Sequence, residues 1–150
     1  MKEYLLNPEK TQIGKLSNVG LALLLVLAHL FIVVGVQALL TGNPIQLGGL
    51  PGYNPPYSLW LTLVIAPLWE ELVFRVAPIK LAQVFGPDTL WPIILISSAL
   101  FGWGHGGVQG LIFQGVMGVI FCVLYIKNNY SYWHNVLFHG LWNLFATITL

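Results

Sequence analysis

Apolar residues fill long unbroken stretches of this chain, and the polar breaks between them are short. From Asn18 to Leu40 no charge interrupts 23 residues, enough to span a bilayer core of about 30 Å at 1.5 Å rise per residue. That run is too long for a signal-peptide core and lacks a small-residue cleavage site after it, so it reads as a retained first span. Residues 41–57, TGNPIQLGGLPGYNPPY, hold four glycines and four prolines and no charge, which predicts a loop. Further apolar runs predict spans over about 58–77, 91–104, 108–126 and 131–149. Pro78 and the Gly-Pro-Asp at 86–88 should end the second, and Pro92 suits the first turn of the third. The expectation is an all-α membrane protein, one domain over residues 1–150, built as a bundle of about five transmembrane helices.

Composition agrees with that reading. The chain is 57% hydrophobic and 7% charged, with a mean hydropathy of +0.78, where soluble domains carry roughly 25% charged residues. A net charge of +1 gives no basic face for phosphates, so no nucleic acid partner is expected. Cys122 has no second cysteine to pair with and reads as a small packing residue. The lysines set the orientation. Lys2, Lys10, Lys15, Lys80 and Lys127 all fall on one side if the N-terminus is cytoplasmic, the pattern of positive charge inside. Trp91, Tyr125, Tyr130, Tyr132 and Trp133 gather at that same side, as an interfacial aromatic belt does. An integral membrane protein is therefore expected, with the lipid bilayer as a partner; the membrane is expected to be a bacterial or archaeal cytoplasmic one.

The remaining charges are the informative ones. Glu70, Glu71 and Arg75 lie within the second apolar run, where each charge costs on the order of 2.5–3.5 kcal/mol at mid-span. They must face protein or trapped water. Glu71 and Arg75 are four apart, the spacing of a same-face ion pair, which reads equally well as a buried structural tie. Glu70 is turned about 100° from Glu71 around the helix and has no local partner, and an unpaired ionisable group inside a membrane is functional by default. Phe101 and His105 share a face of the third span; His139 and Asn143 share one of the fifth. Counting rises puts Glu70 and His139 at similar depth but leaves His105 about 10 Å away along the membrane normal. His29 and His134 read as packing or surface residues. The glycines at 102, 106 and 110 have the spacing that lets helices approach closely.

Taken together, Glu70-Glu71-x-x-x-Arg75, Phe101-x-x-x-His105 and His139-x-x-x-Asn143, in order on successive spans, resemble the CPBP family of CAAX proteases and bacteriocin-processing enzymes. The resemblance covers about residues 58–148. It implies an intramembrane endopeptidase acting on a membrane-associated peptide or protein. Glu70 would then activate a water, His105 would help position it, and His139 and Asn143 would stabilise the oxyanion. Glu71, Arg75 and Phe101 would support the site. A non-catalytic bacteriocin self-immunity or scaffold protein of the same family is the alternative. No cofactor is expected, because there is no HExxH and no evident outer carboxylate to orient a ligand; the alternative is zinc on Glu70, His105 and His139. With one span before the glutamates, a small bacterial peptide, a bacteriocin leader or a membrane-anchored sorting tag is expected as substrate ahead of a prenylated protein.

Overall fold

The computed structural model describes residues 59–149, together with Gly35. The expected first span, 18–40, otherwise lies outside the described residues, as do the N-terminal segment and the whole of the 41–57 loop. Among the described residues the chain forms four helices and no strand. They are α1 (59–85), α2 (Leu90–Gly104), α3 (Val108–Lys127) and α4 (Tyr132–Thr149). Among the described residues α3 is the helix both long and apolar enough to cross a membrane alone.

Pro78 does not end α1. The helix continues to Phe85, where Gly86, at φ +112°, stops it. Continuity has a local cause. A π-turn, Leu72–Val76, immediately precedes the Ala77-Pro78 pair, and a second, Leu61–Ile65, precedes Ala66-Pro67. Each wide turn sits where a proline removes an N–H donor. The carbonyls left over are met from other helices. Phe74 O, four residues before Pro78, accepts Ser97 Oγ of α2 at 2.8 Å and Cys122 Sγ of α3 at 3.7 Å. Thr62 O cannot bond forward, because the Ala66 N–H goes to Leu61 O and residue 67 is proline. It accepts Asn143 Nδ2 of α4 at 2.9 Å instead. Both deficits are filled by the bundle, one from α4 and the other from α2 and α3.

The longer α1 also removes the depth mismatch expected from sequence. Glu70 lies fifteen residues before Phe85, and His105 lies fifteen residues after Leu90. The two helices meet at a short turn, Pro87–Thr89, closed by Thr89 Oγ1 on Gly86 O at 2.7 Å. Both side chains therefore stand about 22 Å from one turn. Ending α1 at residue 77 was what separated them.

At that end Ile79, Ala82, Leu90, Ile94, Cys122, Tyr125 and Ile126 form a closed apolar cluster. Lys80 and Lys127 are next to its members. A second cluster of Met117, Phe121, Val123 and Leu124 packs against Phe138 and Trp142 of α4. Helices α2 and α3 cross at glycine contact. A methyl on Gly102 would meet the backbone of Gly110 and Gly115, and one on Gly110 would overlap Gly102 O. The close pair is Gly102 with Gly110, while Gly106 serves the turn between the helices, with φ +132°, beside Gly107 at +64°.

Candidate active site

The charged residues of α1 point to two different places. Glu71 is fully buried. Its Oε2 accepts Asn135 Nδ2 at 2.5 Å, its Oε1 accepts His139 Nδ1 at 2.7 Å, and Arg75 Nε stands 3.5 Å from Oε1. The Arg75 guanidinium lies over the Phe101 ring at 4.1 Å and within 5.4 Å of Phe121. The expected Glu71–Arg75 pair is present, and Phe101 packs on it. Glu71 does more than hold its own helix: it holds His139.

Glu70 faces the other way, with its side chain 18% exposed. Its Oε1 lies 3.4 Å from His105 Nε2 and its Oε2 lies 3.4 Å from His139 Nε2. One carboxylate is thus flanked by two imidazoles from two other helices. The far nitrogen of each ring is occupied. His105 Nδ1 is 2.7 Å from Phe101 O, an acceptor only, so that nitrogen carries the hydrogen. His139 Nδ1 faces the Glu71 carboxylate, and the same reasoning makes it the donor. Both Nε2 atoms are therefore the ones presented to Glu70. At 3.4 Å these approaches are longer than ordinary N–H···O bonds, so neither ring saturates the carboxylate.

Ring packing fixes the orientations. Phe101 contacts His105 with centroids 4.5 Å apart, and His139 stacks on Phe121 at 4.6 Å. His105 has 35% of its side chain exposed and His139 only 4%. The site is closed on the α4 side and open at the α2–α3 turn, where Gly104, His105 and Gly106 are exposed. Such exposed backbone at a helix end requires water or protein, since lipid cannot satisfy it.

The structure brings Glu70, His105 and His139 together. Asn143, expected beside them, lies one turn further along α4 with Nδ2 donated to Thr62 O. His134 is exposed and pairs with Ser131 Oγ at 2.7 Å. Asn135 was not singled out from sequence. The signal was available: Asn135, His139 and Asn143 recur every four residues, on one face of α4.

Zinc was the alternative reading of this cluster, and the donor types suit it. Glu71 also supplies the outer carboxylate whose absence had argued against a metal. Even so, among the described residues no three His, Cys, Asp or Glu side chains are arranged to hold an ion.

A helical bundle with two carboxylates and two imidazoles interlocked inside it is the class that fold and site define. The chain belongs to the Rce1-like family: the model described as type II CAAX prenyl endopeptidase Rce1-like matches residues 52–145. That range holds all three motifs, and it places the protein in a family of endopeptidases. A relative is YdiL of Bacillus subtilis (strain 168), provisionally named a membrane peptidase, with 23% identity over 147 residues. The alignment covers 90% of this chain and 59% of YdiL, so the chain spans less than two thirds of that relative's length. No solved structure matches.

Proposed function

We propose that this protein is an intramembrane endopeptidase in which Glu70 activates the attacking water. The observation that carries the reading is the placement of Glu70 between His105 Nε2 and His139 Nε2, each at 3.4 Å. A water held there has the carboxylate as proton acceptor and an imidazole on either side to orient it. Glu70 takes one proton as the water oxygen attacks the peptide carbonyl, then delivers it to the leaving amine. His139, protonated on both nitrogens, donates from Nε2 to the oxyanion while Glu71 holds Nδ1. Asn143 has a second hydrogen on Nδ2 beside the one given to Thr62, and it is the other candidate donor. His105 orients Glu70 and the water through its own Nδ1 anchor on Phe101 O. No metal takes part.

The substrate is a membrane-anchored peptide or protein whose scissile bond reaches the open side at the α2–α3 turn. The protein resides in a bacterial or archaeal cytoplasmic membrane, with the end carrying Lys80 and Lys127 cytoplasmic.

The test is cleavage by purified protein in liposomes. The peptide panel includes a prenylated C-terminal peptide, a bacteriocin leader and a peptide with an apolar anchor, with products read by mass spectrometry. Wild type should cleave at least one, and Glu70→Gln should lower the rate by about 10²–10⁴-fold, the worth of a general base. Equal membrane phenotype from wild type and Glu70→Gln, with no cleavage by either, would identify a scaffold instead. A chelator should leave the rate unchanged; inhibition reversed by added zinc would overturn the metal-free mechanism.

A further inference from the structure

We propose that Asn135 is a positioning residue for His139, acting through Glu71. The inference rests on the function proposed above, since it assigns the group that aims the imidazole of that site.

Asn135 is fully buried on α4, one turn before His139. Its Nδ2 donates to Glu71 Oε2 at 2.5 Å and to Phe121 O at 3.0 Å. Both partners are acceptors only, so the nitrogen must be the atom facing them. The two hydrogens of one amide thus tie a carboxylate on α1 to the backbone of α3. Phe121 also carries the ring on which His139 stacks, at 4.6 Å. Asn135 therefore fixes Glu71 and His139 to the same residue, Glu71 through its carboxylate and His139 through the stacked ring.

The direction of control follows from the bonds. Glu71 has two oxygens: Oε2 is held by Asn135, and Oε1 receives His139 Nδ1 at 2.7 Å. With Oε2 anchored the carboxylate cannot rotate about its terminal bond, so Oε1 stays in the plane of the imidazole. A hydrogen is thereby held on Nδ1, and Nε2 is left toward Glu70. Arg75, at 3.5 Å from Oε1, neutralises charge but is too distant to lock the orientation. Asn135 Oδ1 has no hydrogen-bond partner among the protein atoms, a buried deficit of about 1–3 kcal/mol. A residue kept only to fill the core would avoid that deficit. What Asn135 contributes that an apolar residue cannot is the pair of donors.

The test reads the tautomer of His139 without any substrate. Full-length protein with 15N-labelled histidine is placed in lipid bicelles, and the two ring nitrogens of His139 are assigned by their loss in His139→Gln. Wild type should show a single species with Nδ1 protonated, whether or not Nε2 also carries a hydrogen. Asn135→Leu removes both donors, and Asn135→Asp keeps the shape but sets a second carboxylate against Glu71. In either variant a population with hydrogen on Nε2 and none on Nδ1 should appear. Ser97→Ala, which loosens the bundle without touching Glu71, should leave His139 unchanged. Where a cleaved peptide is in hand, kcat should fall by about 10–100-fold, as for other partners that orient a working imidazole, with KM unchanged.

An unchanged His139 spectrum in both Asn135 variants would overturn the proposal, as would a wild-type His139 with a hydrogen on Nε2 and none on Nδ1. If the tautomer shifts as described but no form of the protein cleaves any peptide, the endopeptidase reading fails and the positioning role stands.

Discussion

His139 Nδ1 lies 2.7 Å from Glu71 Oε1, while Nε2 of the same ring lies 3.4 Å from Glu70 Oε2. One imidazole therefore joins two adjacent carboxylates of another helix, and the two carboxylates have different work. Glu71 is sealed in the bundle with Arg75 and Asn135; Glu70 is partly open to solvent.

Neutralising the neighbours should have opposite consequences. Glu71→Gln leaves the Arg75 guanidinium, which is also fully buried, without its counter-ion. Breaking one half of such a pair costs about 3–5 kcal/mol. Glu70→Gln strands no buried charge and should leave stability nearly intact while abolishing activity. Denaturant or thermal unfolding in detergent, run beside the cleavage assay, separates the two effects. Equal destabilisation by both substitutions would contradict the division of roles.

Helix α4 is held against α1 at one point where no side chain fits. A methyl on Gly140 would come to 2.6 Å from Leu63 O, a separation that forces the helices apart. Gly140→Ala should cost about 1–3 kcal/mol, the range for overpacking. It should also cut activity, because α4 carries His139 away from both glutamates. Gly104→Ala, where the added methyl meets open space, is the control and should stay within about 0.5 kcal/mol of wild type.

The unbroken α1 makes a prediction about Pro78. Ser97 Oγ bonds Phe74 O at 2.8 Å, a carbonyl that Pro78 deprives of its usual donor. Ser97→Ala leaves only the weak Cys122 thiol on that carbonyl and should then cost about 0.5–1.5 kcal/mol, the worth of a typical hydrogen bond. In a Pro78→Ala background, where the backbone N–H returns, the same substitution should cost far less. A double-mutant cycle on unfolding stability measures the difference. Additive effects would show that Ser97 does not compensate for the proline.

Asn143 has a demonstrable structural bond and a proposed catalytic one. Asn143→Ala removes the Thr62 contact of 2.9 Å, so a stability loss alone decides nothing. A donor to the oxyanion is worth about 10²–10³-fold in kcat. That loss should persist when rates are normalised to folded protein, with KM preserved. Normalised rates equal to wild type would leave Asn143 as a helix tie only.

Much of this site was legible in the sequence because it rests on cost. Charges cannot sit in an apolar run unless something encloses them, and that constraint singled out Glu70, Glu71 and Arg75 before any fold was known. Fourfold spacing then paired Phe101 with His105 and Glu71 with Arg75, contacts made within single helices. The misreadings concern partners from other helices. Pro78 looked like a terminator because Ser97 and Cys122, which satisfy the carbonyl behind it, are 23 and 48 residues from Phe74 in the chain. Glu71 looked like a support for its own helix because its bond to His139 spans 68 residues. The bond from Asn143 to Thr62 O was not legible either, because that deficit arises from a π-turn that no spacing rule announces.

The most direct measurement of the central arrangement is the separation between the Glu70 carboxyl and the His105 ring inside a bilayer. Glutamate labelled with 13C at the carboxyl and histidine labelled with 15N allow dipolar dephasing to be recorded by solid-state NMR. His105 Nε2 should be dephased strongly, as expected for a nitrogen 3.4 Å from a Glu70 oxygen, and the effect should disappear in Glu70→Gln. A wild-type His105 with no dephasing, or dephasing that survives Glu70→Gln, would contradict the account.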